Sequence, residues 1–364
     1  MKILIPIIGF DKAGGYRVLS ELANGWLDMN HEVTFLVDYR ASKPYFPTRA
    51  KIVSFDVNGV LKIKKQNANF FRTGNAPLIF FGMFRALRQI ASNYDIVLAN
   101  HSLTSYPVAL SGCKRSSRFY YVQAYEPEYY AHKGGWKSKI LQLLSEMSYK
   151  LPFTQIANAP IYVNHPRIRA QRWIPPGIDD KVFYRRPTEP FFSPEAECVL
   201  GVIGRREAGK GTIYALKAFE HLALSFPKVR LKVAYGNLPE GWSHERAEVV
   251  VPKDDSELSN FYRSVDIMLA PGTVQLGACH YPVIEAMACG TPVITTGYLP
   301  ADTSNAWIVP VADSAAIAVA VISIANTPPN VLQAKLDLSL AATTRFHWKK
   351  IASDFVNIFK DAVR

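Results

Sequence analysis

Short runs of apolar, often β-branched residues recur along the chain and are separated by stretches with helical spacing. In the first half the runs are KILIPII, HEVTFLVD, AKIVSFDV, YDIVLAN and RFYYVQAY, and YRVLSELANGWLDMN is typical of the stretches between them. Because this alternation places parallel strands beside crossover helices, it predicts an α/β domain built on a parallel sheet.

The same pattern restarts further along and predicts a second α/β domain. Its runs are CVLGVIG, RLKVAYG, EVVV, DIMLAPG, PVITTG and AWIVPV. A stretch rich in proline and charge, residues 173–197, is typical of an interdomain linker. The tail spaces Phe346, Ile351, Phe355 and Ile358 as in an amphipathic helix. We therefore predict domains at 1–180 and 181–344, followed by a last helix at 345–364.

Composition narrows the class of protein. The 364 residues are 49% hydrophobic and 20% charged, with a mean hydropathy near +0.00, which indicates a folded, soluble protein. The opening apolar run is too short to span a membrane and lacks a signal cleavage site, so we predict a cytoplasmic protein. The four cysteines have no paired spacing, which favours reduced thiols over disulfides or a zinc site.

Charge is unevenly distributed between the two halves. Residues 1–180 contain 23 Lys and Arg against 12 Asp and Glu, whereas the remainder contains 19 against 18. A basic half either serves solubility alone or meets an anionic partner: an acidic membrane leaflet, a phosphate-bearing acceptor or nucleic acid. No nucleic-acid recognition motif is present, so no nucleic-acid partner is expected.

One basic segment also carries aromatic residues. Residues 62–90 mix cations with Phe70, Phe71, Phe80, Phe81 and Phe84, as in a patch that lies at a membrane interface. A core helix with solvated charges explains the same pattern.

Two glycine-containing turns are candidate anion sites. Gly14 and Gly15 follow the first strand, where backbone amides can approach an anion, although a plain turn explains them as well. The second turn, GRREAGKGT at 204–212, nearly matches a P-loop, but Gly211 stands where the magnesium-binding hydroxyl is required. Arg205 and Lys210 suit a diphosphate bound without metal; a solvated basic turn is the alternative.

A third stretch, HYPVIEAMACGTPVITTGY at 280–298, predicts a short helix followed by a strand. Pro282 suits a first helical turn and Gly290 suits a helix end. Glu285 is then either a solvated charge stabilised by the helix dipole or a carboxylate that accepts both hydroxyls of a ribose.

Together these stretches resemble the large retaining family of GT-B glycosyltransferases known as family four, or group 1. The resemblance extends over nearly the whole chain and includes IPPGIDDKVF, FYRSVDIMLAPG and FHWKKIASDF. It implies two Rossmann-like domains facing across a cleft, with the acceptor held by the first and a nucleotide-sugar by the second. The last helix is expected to cross back to the first domain.

The resemblance also implies roles for individual residues. Arg205 and Lys210 would bind and stabilise the leaving diphosphate, with Gly204 in the same loop, and Glu285 would bind the ribose. Gly14 and Gly15 would reach the same phosphates. The nucleotide-sugar is the substrate, and neither a cofactor nor a metal is expected. The implied reaction proceeds with retention, and the departing phosphate takes the acceptor proton.

Two departures from the family pattern bear on the sugar and the acceptor. The family usually has a second Glu eight residues before Glu285, and this chain has Gly277 there. Sugar recognition would then depend on backbone amides of residues 278–281 or on His280 and Tyr281, and a deoxy sugar becomes a candidate.

The second departure lies at QAYEPEYY, which resembles bacterial rhamnosyltransferase relatives but lacks the histidine that many members have there. Glu126 is the candidate for orienting the acceptor or sugar, and Glu128 is a second polar group. His101 is a weaker candidate, more simply read as a structural residue.

These observations predict a glycosyltransferase that acts on a glycan or lipid-linked acceptor in bacterial surface polysaccharide synthesis, peripheral to the inner face of the cytoplasmic membrane. Three alternatives are a P-loop NTPase, a nucleotide-sugar epimerase and a non-catalytic nucleotide-sugar-binding protein.

Overall fold

The chain divides into two bodies, each with its own sheet. The computed structural model describes residues 1–11, 13–63, 76–131, 134–186 and 197–363. The second body is Ile178–His347, and the first combines Met1–Gly177 with the segment that begins at Trp348. These limits lie within three residues of those predicted from the sequence.

The first body contains an eight-stranded sheet in the order β4-β3-β2-β1-β5-β6-β7-β8, parallel except for the β3–β4 pair. The apolar runs form its central strands, and all four residues of β5 are buried, as expected where helices cover both faces. Sequence reasoning missed the short edge strand β4. The strands are β1 (Lys2–Pro6), β2 (Glu32–Asp38), β3 (Lys51–Phe55), β4 (Leu61–Ile63), β5 (Ile96–Ala99), β6 (Arg118–Val122), β7 (Thr154–Ala157) and β8 (Arg172–Trp173); the helices are α1 (Gly14–Asp28), α2 (Ala76–Ile90), α3 (Ser102–Leu110), α4 (Pro127–Ala131), α5 (Gly135–Ser148) and α6 (Pro160–Val163).

The second body contains a six-stranded parallel sheet in the order β11-β10-β9-β12-β13-β14. Its core joins the inner residues of the strands to apolar residues of three helices, α7, α10 and α11. The strands are β9 (Cys198–Ile203), β10 (Val229–Ala234), β11 (Ala247–Val250), β12 (Ile267–Ala270), β13 (Val293–Thr295) and β14 (Trp307–Ile308); the helices are α7 (Thr212–Ser225), α8 (Asp255–Arg263), α9 (Tyr281–Ala288), α10 (Ser314–Ala325) and α11 (Pro329–Thr343).

The last helix, α12 (Trp348–Val363), packs on α1 of the first body. The indole nitrogen of Trp26 donates to the Ala352 carbonyl at 3.1 Å, and the rings of Phe355 and Phe359 lie 5.7 and 5.5 Å from the Trp26 ring. At Gly25, a Cβ atom would lie 2.9 Å from the Ala352 methyl, so the two helices approach closely. The predicted return of the last helix to the first domain is confirmed.

Part of the predicted linker is an integral portion of the second body. The Ile178 amide donates to the Phe346 carbonyl at 2.7 Å, and the Phe183 ring is buried. The buried Arg186 guanidinium donates to the Val265 carbonyl and the Thr291 hydroxyl, because its charge requires partners away from water. Only the stretch 187–196 of the predicted linker lies outside the described residues.

The predicted interfacial segment is described only in part. Phe70 and Phe71 lie outside the described residues. On α2, Phe80 and Phe84 are partly buried, whereas Phe81 is 50% exposed and lies under the Arg85 guanidinium. No single helix in the described ranges is long and apolar enough to span a membrane; α10 and the residues 329–346 pass that test only as a pair bent by 116°.

Candidate functional site

The order of strands in the second sheet defines where a ligand is expected to bind. From β9 the chain moves outward to β10 and β11, then returns to the other side of β9 as β12. The loops that follow β9 and β12 therefore leave the same edge of the sheet as neighbours, and open parallel sheets bind ligands at such a switch point. These loops comprise residues 204–211 and 271–280.

The two loops pack against each other through glycines. The Thr273 amide donates to the Gly209 carbonyl at 2.9 Å. Gly211 has φ +73°, and a Cβ atom there would lie 1.8 Å from the Pro271 carbonyl oxygen. A Cβ atom at Gly204 would lie 1.6 Å from the Gly236 carbonyl oxygen. Gly204, predicted from sequence to bind the ligand, is thus required for backbone packing.

Gly211→Ala is expected to destabilise the second body more than Gly241→Ala. Both positions have positive φ, +73° and +74°, but a Cβ at Gly241 meets no atom of the described residues within 4 Å. The shared backbone strain costs about 1–2 kcal/mol, and crowding against Pro271 adds about 1–3 kcal/mol. Thermal unfolding of both variants measures the difference; equal melting temperatures would contradict the close packing of the two loops.

The loop after β9 differs in detail from a P-loop. Residues Ala208–Lys210 form one 3₁₀ turn, and α7 begins at Thr212. The Thr212 hydroxyl is buried and accepts the Arg205 amide at 3.1 Å. Because this hydroxyl closes the loop on itself, it does not occupy the position of a magnesium-binding hydroxyl, which disfavours the NTPase alternative.

Positive charge is concentrated in these loops. Burial lowers the pKa of Lys210, the nearby Arg205 guanidinium lowers it further, and Glu207 opposes both. The Arg205 side chain is about half exposed, with Nε 3.6 Å from the Glu207 carboxylate. Burial lowers the pKa of His280 well below its usual range, and Lys210 and Arg205 lower it further. The structure thus brings Arg205, Lys210 and His280 close enough for their charges to influence one another.

The start of α9 adds backbone hydrogen-bond donors beside these charged groups. His280 is the residue before the helix and Tyr281 is its first residue; the His280 side chain makes no capping hydrogen bond to the first turn, and Gly211, which precedes α7, has no side chain to make one. The His280 ring stacks on Tyr298 at 4.6 Å, and its Nδ1 is buried with no hydrogen-bond partner within the described ranges. No preceding side chain caps either helix, so the backbone amides of these two N-termini favour binding of an anion at this edge of the sheet.

Acidification is expected to destabilise the protein partly through His280. Because the folded pKa lies well below the unfolded value of about 6.5, the unfolded chain takes up the proton first, and stability falls as pH drops below about 6.5. The largest possible slope is about 1.4 kcal/mol per pH unit. His280→Gln should therefore lose less melting temperature than the wild type on going from about pH 7.5 to about pH 5.5.

The control for this measurement is His221→Gln, at an exposed position on α7. Its pH dependence should match the wild type. A His280→Gln curve parallel to both would contradict the neutral, buried state of His280.

Glu285 is buried, not solvated. It lies on α9, is 2% exposed, and accepts the Tyr262 hydroxyl of α8 at 2.8 Å. Burial and this carboxylate raise the pKa of Tyr262 well above its usual range. Of the two alternatives that the sequence left open, the solvated helix-start charge is wrong, because the carboxylate is buried and hydrogen-bonded to Tyr262. Its role in binding ribose stays a prediction.

The position of the missing family Glu has a backbone that favours glycine. Gly277 has φ +82°, and its amide donates to the Gly297 carbonyl at 2.9 Å. A side chain at this φ would be strained, so glycine suits the backbone at position 277.

A pocket of about 590 Å³ opens beside the loop after β9. Arg205 and Arg206 line one side, and Asn237 and Pro239, which follow β10, line the other. Asn237 has φ +50° and donates from its amide side chain to the Gly204 carbonyl at 3.2 Å. Among the described residues the lining includes Arg205 but neither Lys210 nor Glu285.

The first body has a separate polar cluster around Glu126, in the loop after β6. The buried carboxylate accepts the Ser102 amide at 3.0 Å and the Ser102 hydroxyl at 2.5 Å. The His101 Nε2 lies 3.2 Å from it, while the His101 Nδ1 accepts the Leu103 amide at 3.1 Å. Both ring nitrogens are thus engaged by the chain, and His101 with Ser102 holds Glu126 in place. Sequence reasoning named Glu126 but did not foresee these partners.

Glu126 also affects nearby tyrosines. Burial raises the pKa of Tyr16 to about 12 and that of Tyr130 to about 12, and the charge of Glu126 contributes to both shifts. Both hydroxyls, like that of any tyrosine with its ordinary pKa, are protonated at neutral pH and can donate hydrogen bonds. Glu128 lies on α4 and is partly exposed.

Gly14 and Gly15 begin α1. A Cβ atom at Gly15 would lie 3.2 Å from the Gln123 amide oxygen, so this glycine lets the loop after β6 approach α1. The contact of Gly14 and Gly15 with donor phosphates stays a prediction.

Comparison with known proteins is consistent with the class of protein that these sites define. Residues 197–327 match the family model described as glycosyl transferases group 1. Both bodies have the α/β fold of solved GT-B glycosyltransferases, which confirms the predicted fold class. No curated protein sequence matches the chain.

Three solved structures are similar over nearly the whole chain. Anabaena Alr3699/HepE, solved with UDP and glucose, has 16% identity, covers 99% of this chain and 100% of its own, and gives a TM-score of 0.70. WaaG, a glycosyltransferase involved in lipopolysaccharide biosynthesis, has 14% identity, coverage of 98% and 99%, and a TM-score of 0.69. A putative UDP-N-acetylglucosamine 2-epimerase from Listeria monocytogenes has 11% identity, coverage of 99% and 96%, and a TM-score of 0.59.

Proposed function

We propose that this protein is a glycosyltransferase that moves a sugar from a nucleoside diphosphate donor to a hydroxyl of a glycan or lipid-linked acceptor. The observation that carries the proposal is the joint placement of Arg205, Lys210 and the start of α9 at the switch point of the second sheet. Fixed cations and helix N-termini stabilise a diphosphate, and they do so most when its charge increases as the glycosidic bond breaks.

Uridine diphosphate is the proposed nucleotide. HepE was solved in complex with UDP-glucose, and that structure has a TM-score of 0.71 to this chain. In this proposal Glu285 accepts the ribose hydroxyls while Tyr262 fixes the carboxylate from the other side. The sugar is recognised without an acid at position 277, and His280, which lies within electrostatic reach of Lys210 and Arg205, is the proposed contact.

The acceptor is assigned to the first body. Glu126, which Ser102 and His101 orient, would accept hydrogen bonds from a sugar or lipid-linked glycan. The hydroxyls of Tyr16 and Tyr130 would donate hydrogen bonds to it. The reaction would proceed with retention and without metal, the leaving phosphate accepting the proton. Involvement of WaaG in lipopolysaccharide biosynthesis supports a place in bacterial surface polysaccharide synthesis. The proposed location is the inner face of the cytoplasmic membrane, where a basic first half would meet anionic lipid.

Two measurements test this proposal. Calorimetric titration should detect UDP binding much tighter than UMP binding, because the second phosphate meets Arg205 and Lys210. Incubation with a panel of UDP-sugars and membrane-derived acceptors should then release UDP only when donor and acceptor are both present. Equal affinity for UMP and UDP would contradict the assignment of the diphosphate site, and an inverted anomeric centre in the product would contradict retention.

An epimerase is the second candidate because the Listeria monocytogenes epimerase has a related fold. Such an enzyme would convert a UDP-sugar with no acceptor present, and nuclear magnetic resonance of the donor would detect the second sugar. Conversion of free donor at a rate exceeding transfer would favour this candidate over the glycosyltransferase.

A further inference from the structure

Helix α5 of the first body buries polar residues and exposes apolar ones, which is the opposite of an ordinary surface helix. The serines Ser145 and Ser148 are buried against the body, and the Ser148 hydroxyl is satisfied by the Ser145 carbonyl at 2.6 Å. Five of the six large apolar residues of the same helix are exposed to solvent; they are Trp136, Ile140, Leu143, Leu144 and Met147, whereas Leu141 is partly buried. Surface helices normally direct such residues at the core.

The exposed apolar residues form one continuous stripe. Counted from Trp136, they recur at four, seven, eight and eleven positions, which is the spacing of a single helix face. Trp136 is 69% exposed and Leu143 is 60% exposed. Single exposed apolar residues are common on protein surfaces, but an aligned set of this kind marks a surface that another apolar phase covers.

Charge near the stripe identifies the kind of partner. Lys137 and Lys139 are exposed on the same helix, and the Lys137 ammonium lies 5.7 Å from the centre of the Trp136 ring. Glu146, the acid of α5, is paired with Arg167. Lysines beside a stripe of Trp, Leu and Ile suit a membrane interface that carries negative charge, where the ring lies at headgroup level and the ammonium groups meet lipid phosphates.

We propose that α5 docks the first body on an anionic lipid surface, with the stripe in the interface and Lys137 and Lys139 at the headgroups. This inference rests on the proposed function, since it names the surface from which a lipid-linked acceptor is drawn. The far end of α5 leads to Tyr149, whose hydroxyl lies 3.3 Å from the Glu126 amide. A docked α5 is therefore joined directly to the loop that holds the proposed acceptor-orienting carboxylate.

The docking surface differs from the one expected from sequence alone. On α2, Phe81 is exposed, but its partners Phe80 and Phe84 are partly buried and form no comparable stripe in the described part of the helix. Vesicle binding that depends on Phe81 and not on α5 would overturn the proposal.

The experiment is co-sedimentation of the full-length protein with vesicles of phosphatidylcholine alone or mixed with phosphatidylglycerol. The wild type should bind the mixed vesicles at least about tenfold more strongly than the neutral ones. The triple variant Trp136→Ser, Leu143→Ser and Met147→Ser should lose at least about tenfold in binding. The charge variant Lys137→Glu with Lys139→Glu should lose about fivefold per lysine, and this loss should shrink at high salt.

A matched control replaces three exposed apolar residues of the second body, Leu224, Val319 and Val331, by serine. Ranked in order, their exposures of 87%, 65% and 51% each exceed the 69%, 60% and 43% of Trp136, Leu143 and Met147, so a general loss of surface hydrophobicity would affect both triple variants alike. Circular dichroism and UDP affinity verify that each variant folds. If the triple variant does not fold, the single variant Trp136→Ser tests the stripe.

Several outcomes would overturn the docking surface: a wild type that stays unbound, a stripe variant that binds as the wild type does, or equal losses in the control. A wild-type dimer that the stripe variant converts to a monomer, without vesicle binding by either, would assign the stripe to a second copy of the chain. The stripe variant should bind UDP normally. Failure of UDP to bind the wild type contradicts the proposed function alone, because the vesicle result does not depend on it.

Discussion

Lys210→Ala is expected to lower turnover by about 10²–10³-fold, because removal of one preorganised group that stabilises developing charge costs about 2.7–4 kcal/mol of transition-state stabilisation. Lys210 is half-buried; burial and then the Arg205 guanidinium lower its pKa, against the opposing charge of Glu207, so an anionic ligand would offset part of the cost of keeping Lys210 charged. Steady-state kinetics with the identified UDP-sugar should assign most of the loss to kcat, since the diphosphate gains negative charge as the sugar departs.

Lys217→Ala is the control for this prediction. Lys217 is exposed on α7, two turns after Lys210, and its removal should leave the kinetics unchanged. Turnover of Lys210→Ala within a factor of about three of the wild type would remove the diphosphate assignment, provided that the variant melts at the wild-type temperature.

Glu285→Gln is expected to weaken UDP binding by about 10–100-fold, because hydrogen bonds to a charged acceptor contribute about 1.5–3 kcal/mol each. The glutamine carbonyl still accepts the Tyr262 hydroxyl, so the fold is retained. Glu285→Ala would instead leave that buried hydroxyl without its acceptor and destabilise the second body by about 1–3 kcal/mol. The two substitutions together separate the ligand-binding role from the structural one.

Deoxy analogues of UDP make this test sharper. If Glu285 binds the ribose, removal of the 2′- or 3′-hydroxyl weakens binding to the wild type more than binding to Glu285→Gln, which is the signature of coupled groups. Tyr262→Phe is the control: it removes the hydrogen bond that fixes the carboxylate but leaves the charge. Equal losses with deoxy-UDP in the wild type and Glu285→Gln would restrict Glu285 to its contact with Tyr262.

The two parallel sheets could be predicted from sequence because buried parallel strands are apolar along their whole length. Runs such as IVLA in β5 and IMLA in β12 predict buried strands for that reason. The caps of α9 were also readable, since Pro282 and Gly290 have local conformational preferences: Gly290 has φ +69°. The edge strand β4 was missed because three residues give no periodicity.

The partners of the candidate acids could not be predicted in the same way. Tyr262 and Glu285 are 23 residues apart and lie on different helices, so only the packing of α8 against α9 brings them together. Ser102 and Glu126 follow different strands, and no local pattern relates them. The stripe on α5 has helical spacing whether it faces the core or the solvent, and burial of Ser145 and Ser148 is what distinguishes the two.

The packing of α12 on α1 also bears on how the chain reaches its folded state. The ribosome releases the last helix only after the whole second body has emerged, and domains otherwise fold as units in order of synthesis. Until α12 has been released, Trp26 lacks the Ala352 carbonyl that accepts its indole N–H and the Phe355 and Phe359 rings that pack on it. The second body is therefore expected to mature first, and the half that is made earliest to be completed last.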